Sequence, residues 1–226
     1  MSQRAVDPVV RDILDQAFEE FAEHGLAGAR VDAIADRTRT SKRMLYYHFG
    51  SKEGLYAAVL AHAYRLLRES TSTLPEPDYA SLSALDALRA WAGHVFDVHV
   101  AHPRQIRLIM AENLLGARFV RQDATIQQAN QEGLSTLAAI VQRGQAEASI
   151  RADLKVLDLY ASAVGLAFHF VSNRATFSAI FEQSLAPAAV QMSRRAAVVE
   201  TIARQALAWP VVASVPSARP DQAPPA

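Results

Sequence analysis

The sequence predicts an all-α protein, and three observations predict it. Apolar residues recur at three- and four-residue intervals along most of the chain, while no stretch shows the two-residue alternation or hairpin turns of strands. Helix-starting and helix-stopping residues fall where the periodic segments begin and end. The expected plan is a three-helix unit over 1–52 and a larger helical unit over 53–209, whose first helix (53–73) links the two. A proline- and alanine-rich tail over 210–226, with five of the ten prolines and no apolar periodicity, is expected to be disordered.

Each element has its own signal. Asp7 followed by Pro8 reads as an N-cap with proline at the first helical position. Ile13, Leu14, Ala17, Phe18 and Phe21 then share one face, ending before Gly25. A short helix fits Asp32–Arg37, with Val31, Ile34 and Ala35 inward. About four residues later another runs from Lys42 to Phe49, closed by Gly50. A fourth opens at Ser51 and extends to about Thr71, where "STLPEPD" breaks the chain and marks the expected domain boundary. Further helices are expected near 81–101, 103–117, 121–148, 154–172 and 187–208, and "ATFSAIFEQSLAP" leaves room for a short one of its own.

Composition excludes several functions. The 226 residues are 50% hydrophobic, enough for a substantial core, and 23 Lys+Arg balance 23 Asp+Glu. Electrostatic function must therefore come from local charge separation. Between Arg30 and Lys52, six cations face two anions, whereas Asp7–Glu23 holds six anions and one cation. Cysteine is absent, which removes disulfides, thiolate nucleophiles and Cys-ligated zinc. No apolar run reaches the ~18 residues of a membrane span, and the N-terminus has no signal pattern. The expectation is a soluble cytoplasmic protein with no membrane partner and no cofactor. No nucleophile–base arrangement, H-E-x-x-H pair or glycine-rich phosphate loop is present, so an enzyme is not expected.

The informative segment is "TSKRMLYYHFGSKEGLY", residues 40–56, with Lys42, Arg43, His48, Lys52 and three tyrosines. Two short helices joined by a tight turn, the second bearing cations, hydroxyls and aromatics, suit insertion into a DNA major groove. On Lys42–Phe49, Leu45 and Phe49 share the inward face, and Lys42, Arg43, Tyr46 and Tyr47 take the opposite side. Thr40 or Ser41 is placed to cap the helix and offer donors to a phosphate. Read without DNA, the same residues are a solvated face on a helical ligand-binding or scaffolding module.

Over about 50 residues, "RDILDQAFEEFAEHGLAGARVDAIADRTRTSKRMLYYHFGSKEGLYAAVL" resembles the N-terminal domain of the TetR family of bacterial repressors. Ile13, Leu14, Ala17, Phe18, Phe21 and Ala22 before Gly25, then Val31, Ile34, Ala35 and Ser41, carry the likeness, with Leu45 to Phe49 and Ser51-Lys52-Glu53 before Leu55. The resemblance implies a helix-turn-helix DNA-binding domain and a larger C-terminal domain that binds a small effector and dimerises through its last two long helices. By position, Thr40, Ser41, Lys42, Arg43, Met44, Tyr46, Tyr47, His48 and Lys52 would face a double-stranded operator. Three departures stand out. Ala29 replaces the usual hydroxyl residue opening the second helix, removing a cap worth ~1 kcal/mol, and Arg30 is placed to replace its phosphate contact. "TRTSK" lacks the usual turn glycine, and Arg43 and Met44 stand where smaller residues are frequent.

The 81–208 region is similar, through "HPRQIRLIMAEN", to the branch that includes the pyrimidine-utilisation regulators. His94, Asp97, His99 and His102 lie close in sequence but fall around the helix axis rather than on one side, so no metal site is expected. Trp91, His94, Met110, Asn113, Phe168 and His169, with Phe96 and Phe119, form the candidate effector pocket. Val164 and Phe168 lean toward an apolar or aromatic effector. The small residues Ala161, Ser162, Ala163, Gly165 and Ala167, and the amphipathic stretch 187–208, predict close helix packing in a two-fold homodimer or in an intramolecular hairpin.

Overall fold

The structure, a computed structural model, describes residues 8–38, 40–69 and 77–207. Asp7, the turn residue Arg39, the chain break at 70–76 and the tail from 208 lie outside the described residues. Among the described residues ten α-helices follow one another: α1 Pro8–Gly28, α2 Val31–Arg37, α3 Lys42–Phe49, α4 Lys52–Glu69, α5 Ala84–Ala101, α6 Pro103–Leu114, α7 Ala124–Ala146, α8 Val156–Ser172, α9 Arg174–Phe181 and α10 Ala188–Ala206. No strand occurs among the described residues; one isolated bridge joins Ile150 to Leu207.

Local chemistry sets the helix ends. Gly25, at φ 64°, breaks α1, leaving a short turn to Gly28. Ser83 caps α5 by accepting the Asp86 N–H, and Asp123 caps α7 by accepting the amides of Thr125 and Ile126. That cap sets the start of α7 three residues later than the periodicity predicts, with residues 120–122 forming a 3₁₀ turn. Likewise α6 stops at Leu114 rather than 117, because Gly116 and Ala117 both adopt positive φ. The short helix for which 175–187 left room is α9, and it begins one residue earlier, at Arg174.

Two apolar clusters hold these helices. One gathers Ile13, Phe18 and Phe21 of α1 with Ile34, Leu45, Tyr56 and Leu60, and runs on through Leu108, Phe119 and Ile126. The other centres on α5, with Trp91 and Phe96 against Leu137, Val141, Ala163, Ala167, Phe170 and Ile202. Thus α4 is gripped on one side by α1 and on another by α6 and α7.

A buried carboxylate pins that junction. Glu112 on α6 is 2% exposed; its Oε1 accepts the Phe119 N–H at 2.7 Å and the Val120 N–H at 3.3 Å. Its Oε2 and the Tyr56 hydroxyl are both buried and lack a hydrogen-bond partner at normal distance. They are near enough that burial, and then Glu112, push the Tyr56 phenol far above its ordinary pKa. The same two causes take Tyr64 up to about 12. Glu112→Ala is expected to cost about 2 kcal/mol by orphaning the buried Phe119 N–H, read as a lower urea midpoint at unchanged slope.

Candidate nucleic-acid interface

The interface is built on α3. Ser41 is its N-cap, its hydroxyl accepting the Met44 N–H at 3.2 Å; Gly50, at φ 76°, closes it by donating to the Tyr46 carbonyl at 2.8 Å. Leu45 is fully buried among Ile34, Ala35 and the α1 side chains, and Phe49 packs at the edge of the same cluster. With one face committed to the core, Lys42, Arg43, Met44, Tyr46, Tyr47 and His48 are all exposed. Tyr47 is 79% exposed; its ring meets His48 edge-on at 5.4 Å. Eight residues of helix present about 12 Å of this face, a length that fits the major groove.

The cations are not equivalent. Lys42 Nζ lies 3.1 Å from Asp32 on α2, and Lys52 donates to the Ala27 carbonyl at 3.2 Å. The guanidinium groups of Arg30 and Arg43 are exposed and form no ion pair among the described residues. Thr40 is half-buried, its N–H donating to the Ala35 carbonyl.

No side chain caps α2, and a carboxylate from another helix holds the amide that precedes it. Ala29 is buried, Arg30 is the N-cap of α2, and no side chain of α2 caps it. Instead Glu20 of α1, 2% exposed, accepts the Arg30 N–H with Oε1 at 3.0 Å and pairs through Oε2 with Arg37 at 2.9 Å. The sequence signal was a carboxylate at position 20, one turn from Ala17 and beside Phe21 on the apolar stripe of α1. Gly54 carries no such signal in the sequence. A Cβ there would overlap the Phe49 carbonyl oxygen, so this glycine lets α4 start directly against the end of α3.

The six candidate effector residues are not gathered in one cavity. Trp91 is core, its ring 6.2 Å from Tyr160, and Phe168 packs half-buried against the same cluster. Met110 and Asn113 lie on the exposed side of α6, because Ile106, Leu108 and Glu112 take its inward side. His94 is half-buried with Nε2 unpartnered, and His169 opens onto a cavity between α8 and α10. Two larger hollows, about 480 and 300 Å³, flank α4 where it meets α1 and the starts of α6 and α7. Asp97 pairs with Arg195 at 2.8 Å and His99 donates Nδ1–H to the Val95 carbonyl; no group of three or more potential ligands converges among the described residues. No described helix is long and apolar enough to cross a membrane.

A short, capped helix presenting cations and tyrosines, packed on a second helix through one buried leucine, defines a helix-turn-helix DNA-binding protein. The chain belongs to the TetR family. Residues 13–59 match the model for bacterial regulatory proteins of the tetR family, and 85–202 match the tetracyclin repressor-like C-terminal domain. It is 30% identical to the transcriptional repressor NicS of Pseudomonas putida over 77% of this chain and 81% of that one. It is also 30% identical to the repressor SCO4008 of Streptomyces coelicolor, over 74% and 80%, and 32% identical to the regulator RutR of Escherichia coli over 54% and 56%. Among solved structures, a transcriptional regulator of S. coelicolor, SCO4942, is 30% identical at a TM-score of 0.64, covering 88% of this chain and 98% of that one. AibR, solved with isovaleryl coenzyme A and operator DNA, shares the fold at 17% identity and a TM-score of 0.64, covering 85% and 97%. The protein is a transcriptional regulator and not an enzyme.

Proposed function

We propose that this regulator is a homodimeric repressor that places one α3 in each half of a near-palindromic operator and is released by a small-molecule effector. The observation that carries the reading is the outward face of α3, on which Arg43, Tyr46, Tyr47 and His48 are exposed while Leu45 anchors the helix from behind. Arg30, Thr40, Ser41, Lys42, Met44 and Lys52 flank it as phosphate or base contacts. Lys42 and Lys52 would exchange their present partners, Asp32 and Ala27, for phosphate. The repressor names of NicS and SCO4008 favour repression over activation.

In the division of labour, 1–52 reads DNA, α4 links, and the helices beyond bind effector and partner. An exposed stripe on α8 (Leu157, Ala161, Gly165) and another on α10 (Ala189, Met192, Ala196) support pairing of α8 and α10 with a second copy. Small side chains on both let two backbones approach closely, and two α3 helices about 34 Å apart would then meet successive major grooves. An apolar or aromatic effector held among α5–α8 would shift α6, and through Glu112 and Tyr56 the setting of α4. Such coupling is typically ~1–3 kcal/mol.

Fluorescence anisotropy on the protein's own upstream intergenic DNA, at several salt concentrations, tests this. Tight sequence-selective binding is expected, with log affinity falling by ~0.9 per phosphate contact per decade of salt. Arg43→Ala and Tyr47→Ala should each lose tenfold or more; Lys42→Ala should lose less, since its ion pair with Asp32 competes. Weak binding that ignores sequence and all three substitutions would turn the reading toward a helical ligand-binding module without specific DNA.

A further inference from the structure

The exposed side of α3 divides into a centre and two flanks. A helix turns about 100° per residue, so Arg43 and Tyr47, one turn apart, lie opposite the stripe that Leu45 and Phe49 pack into the core. Met44 stands beside them. Lys42, Tyr46 and His48 fall nearer the core and point toward the flanks. Lys42 is further held by its ion pair with Asp32 of α2 at 3.1 Å. Arg43 is exposed and forms no ion pair or side-chain hydrogen bond among the described residues, so its N–H donors are left to solvent.

A major groove offers two kinds of partner, phosphates along its walls and base edges on its floor. A recognition helix seated with its buried stripe away from the DNA turns its outward centre to the floor and its flanks to the walls. Its N-terminal residues come nearest the base edges. Ser41 caps α3, which places Arg43 in the first turn. Among the described lysines and arginines of residues 30–52, position and freedom coincide at Arg43. Lys42 is on a flank and paired, Arg37 is held by Glu20, and Lys52 lies past the helix and donates to the Ala27 carbonyl. Arg30 precedes α2, the helix that crosses the backbone in such a pair.

We propose that Arg43 reads a guanine in each half-site of the operator. A guanidinium fork needs two acceptors side by side. Guanine presents them on the groove floor as N7 and O6, whereas adenine and cytosine each present a donor, and thymine sets a methyl group beside its one acceptor. The inference rests on the regulator reading of α3 and adds the base that this face selects.

Selection of bound duplexes from a pool with a randomised centre, by the full chain and by its Arg43→Ala variant, tests it. The wild type is expected to enrich a guanine at a fixed place in each half-site, and Arg43→Ala to lose the preference there while keeping it elsewhere. Anisotropy on the selected duplex then isolates the contact. Placing 7-deazaguanine there, which replaces N7 by C–H, should weaken the wild type about tenfold and leave Arg43→Ala unaffected. Because Arg43 is exposed, the melting temperature of the variant should match that of the wild type, so lost preference is not lost fold. A selected wild-type sequence without a fixed guanine, an unchanged guanine preference in Arg43→Ala, or an equal 7-deazaguanine penalty in both proteins would overturn the proposal. So would a uniform weakening of Arg43→Ala across sequences with the salt slope lowered by about 0.9, which would put the guanidinium on a phosphate. Each of these outcomes leaves the regulator reading standing. A pool from which the wild type selects no sequence would overturn that reading, and the inference with it.

Discussion

Glu20→Ala is expected to lower the stability of the protein by about 2 kcal/mol and to weaken DNA binding at least tenfold. The carboxylate is buried and holds two things at once, the Arg30 N–H that opens α2 and the Arg37 side chain that closes it. Removing it orphans a backbone donor and leaves a cation without its partner. The figure stays near 2 because the Arg37 side chain is 43% exposed, so water recovers part of its solvation. Since α2 has only seven residues and no cap of its own, it cannot hold its angle against α1 without Glu20. The recognition helix rides on α2 through Leu45, so the loss should reach DNA affinity as well. Glu20→Gln is the discriminating companion. It keeps an acceptor for the Arg30 N–H while losing the ion pair, and should retain more than half of the lost stability. Urea midpoints and anisotropy on one operator fragment read both effects; an alanine variant as stable as wild type would show that α2 is held by packing alone.

Gly54→Ala should be at least as damaging for DNA binding, by a different route. A methyl group at this position overlaps the carbonyl oxygen of Phe49, a backbone atom that cannot rotate aside. Relief requires the end of α3 and the start of α4 to separate by over an ångström. Overpacking of this kind costs typically 1–3 kcal/mol, and alanine's better helix propensity, ~1 kcal/mol over glycine, offsets only part of it. The displacement falls on the helix that carries Tyr46, Tyr47 and His48, so a hundredfold loss of operator affinity is expected while the far-UV circular dichroism stays helical. An unchanged affinity would mean that the α3–α4 junction is not what sets the pose of the recognition helix. The contrast with Tyr47→Ala is informative: that variant should lose affinity with no loss of stability, because Tyr47 touches solvent rather than core.

Much of this was legible in the linear sequence. The spacing of Ile13, Ala17 and Phe21, of Ile34 and Ala35, and of Leu45 and Phe49 specified three helices and their inward faces. Thr40 or Ser41 marked the start of α3 and Gly50 its end; Ser41 is the one that caps it, and Gly50 closes it. Local rules suffice for these features because a cap, a stop or an apolar stripe depends on residues within one or two turns. By contrast, the candidate effector residues Trp91, Met110, Asn113 and Phe168 have the composition of a pocket, and the structure places them variously in the core and at the surface. Aromatic and methionine side chains suit a hydrophobic core as well as a binding cavity, and composition does not distinguish them.

The sequence by itself determined the helical class, the order of the helices and the side chains offered outward by α3. The tertiary structure decided everything that joins residues far apart in the chain. It let Glu20 hold the amide that precedes α2, ten residues away, and brought Glu112 close enough to act on the Tyr56 phenol. It packed Gly54 against Phe49. The physical reason is that helix formation and capping are short-range, whereas the cost of a buried charge or an orphaned amide is set by whichever groups the packed helices bring beside it.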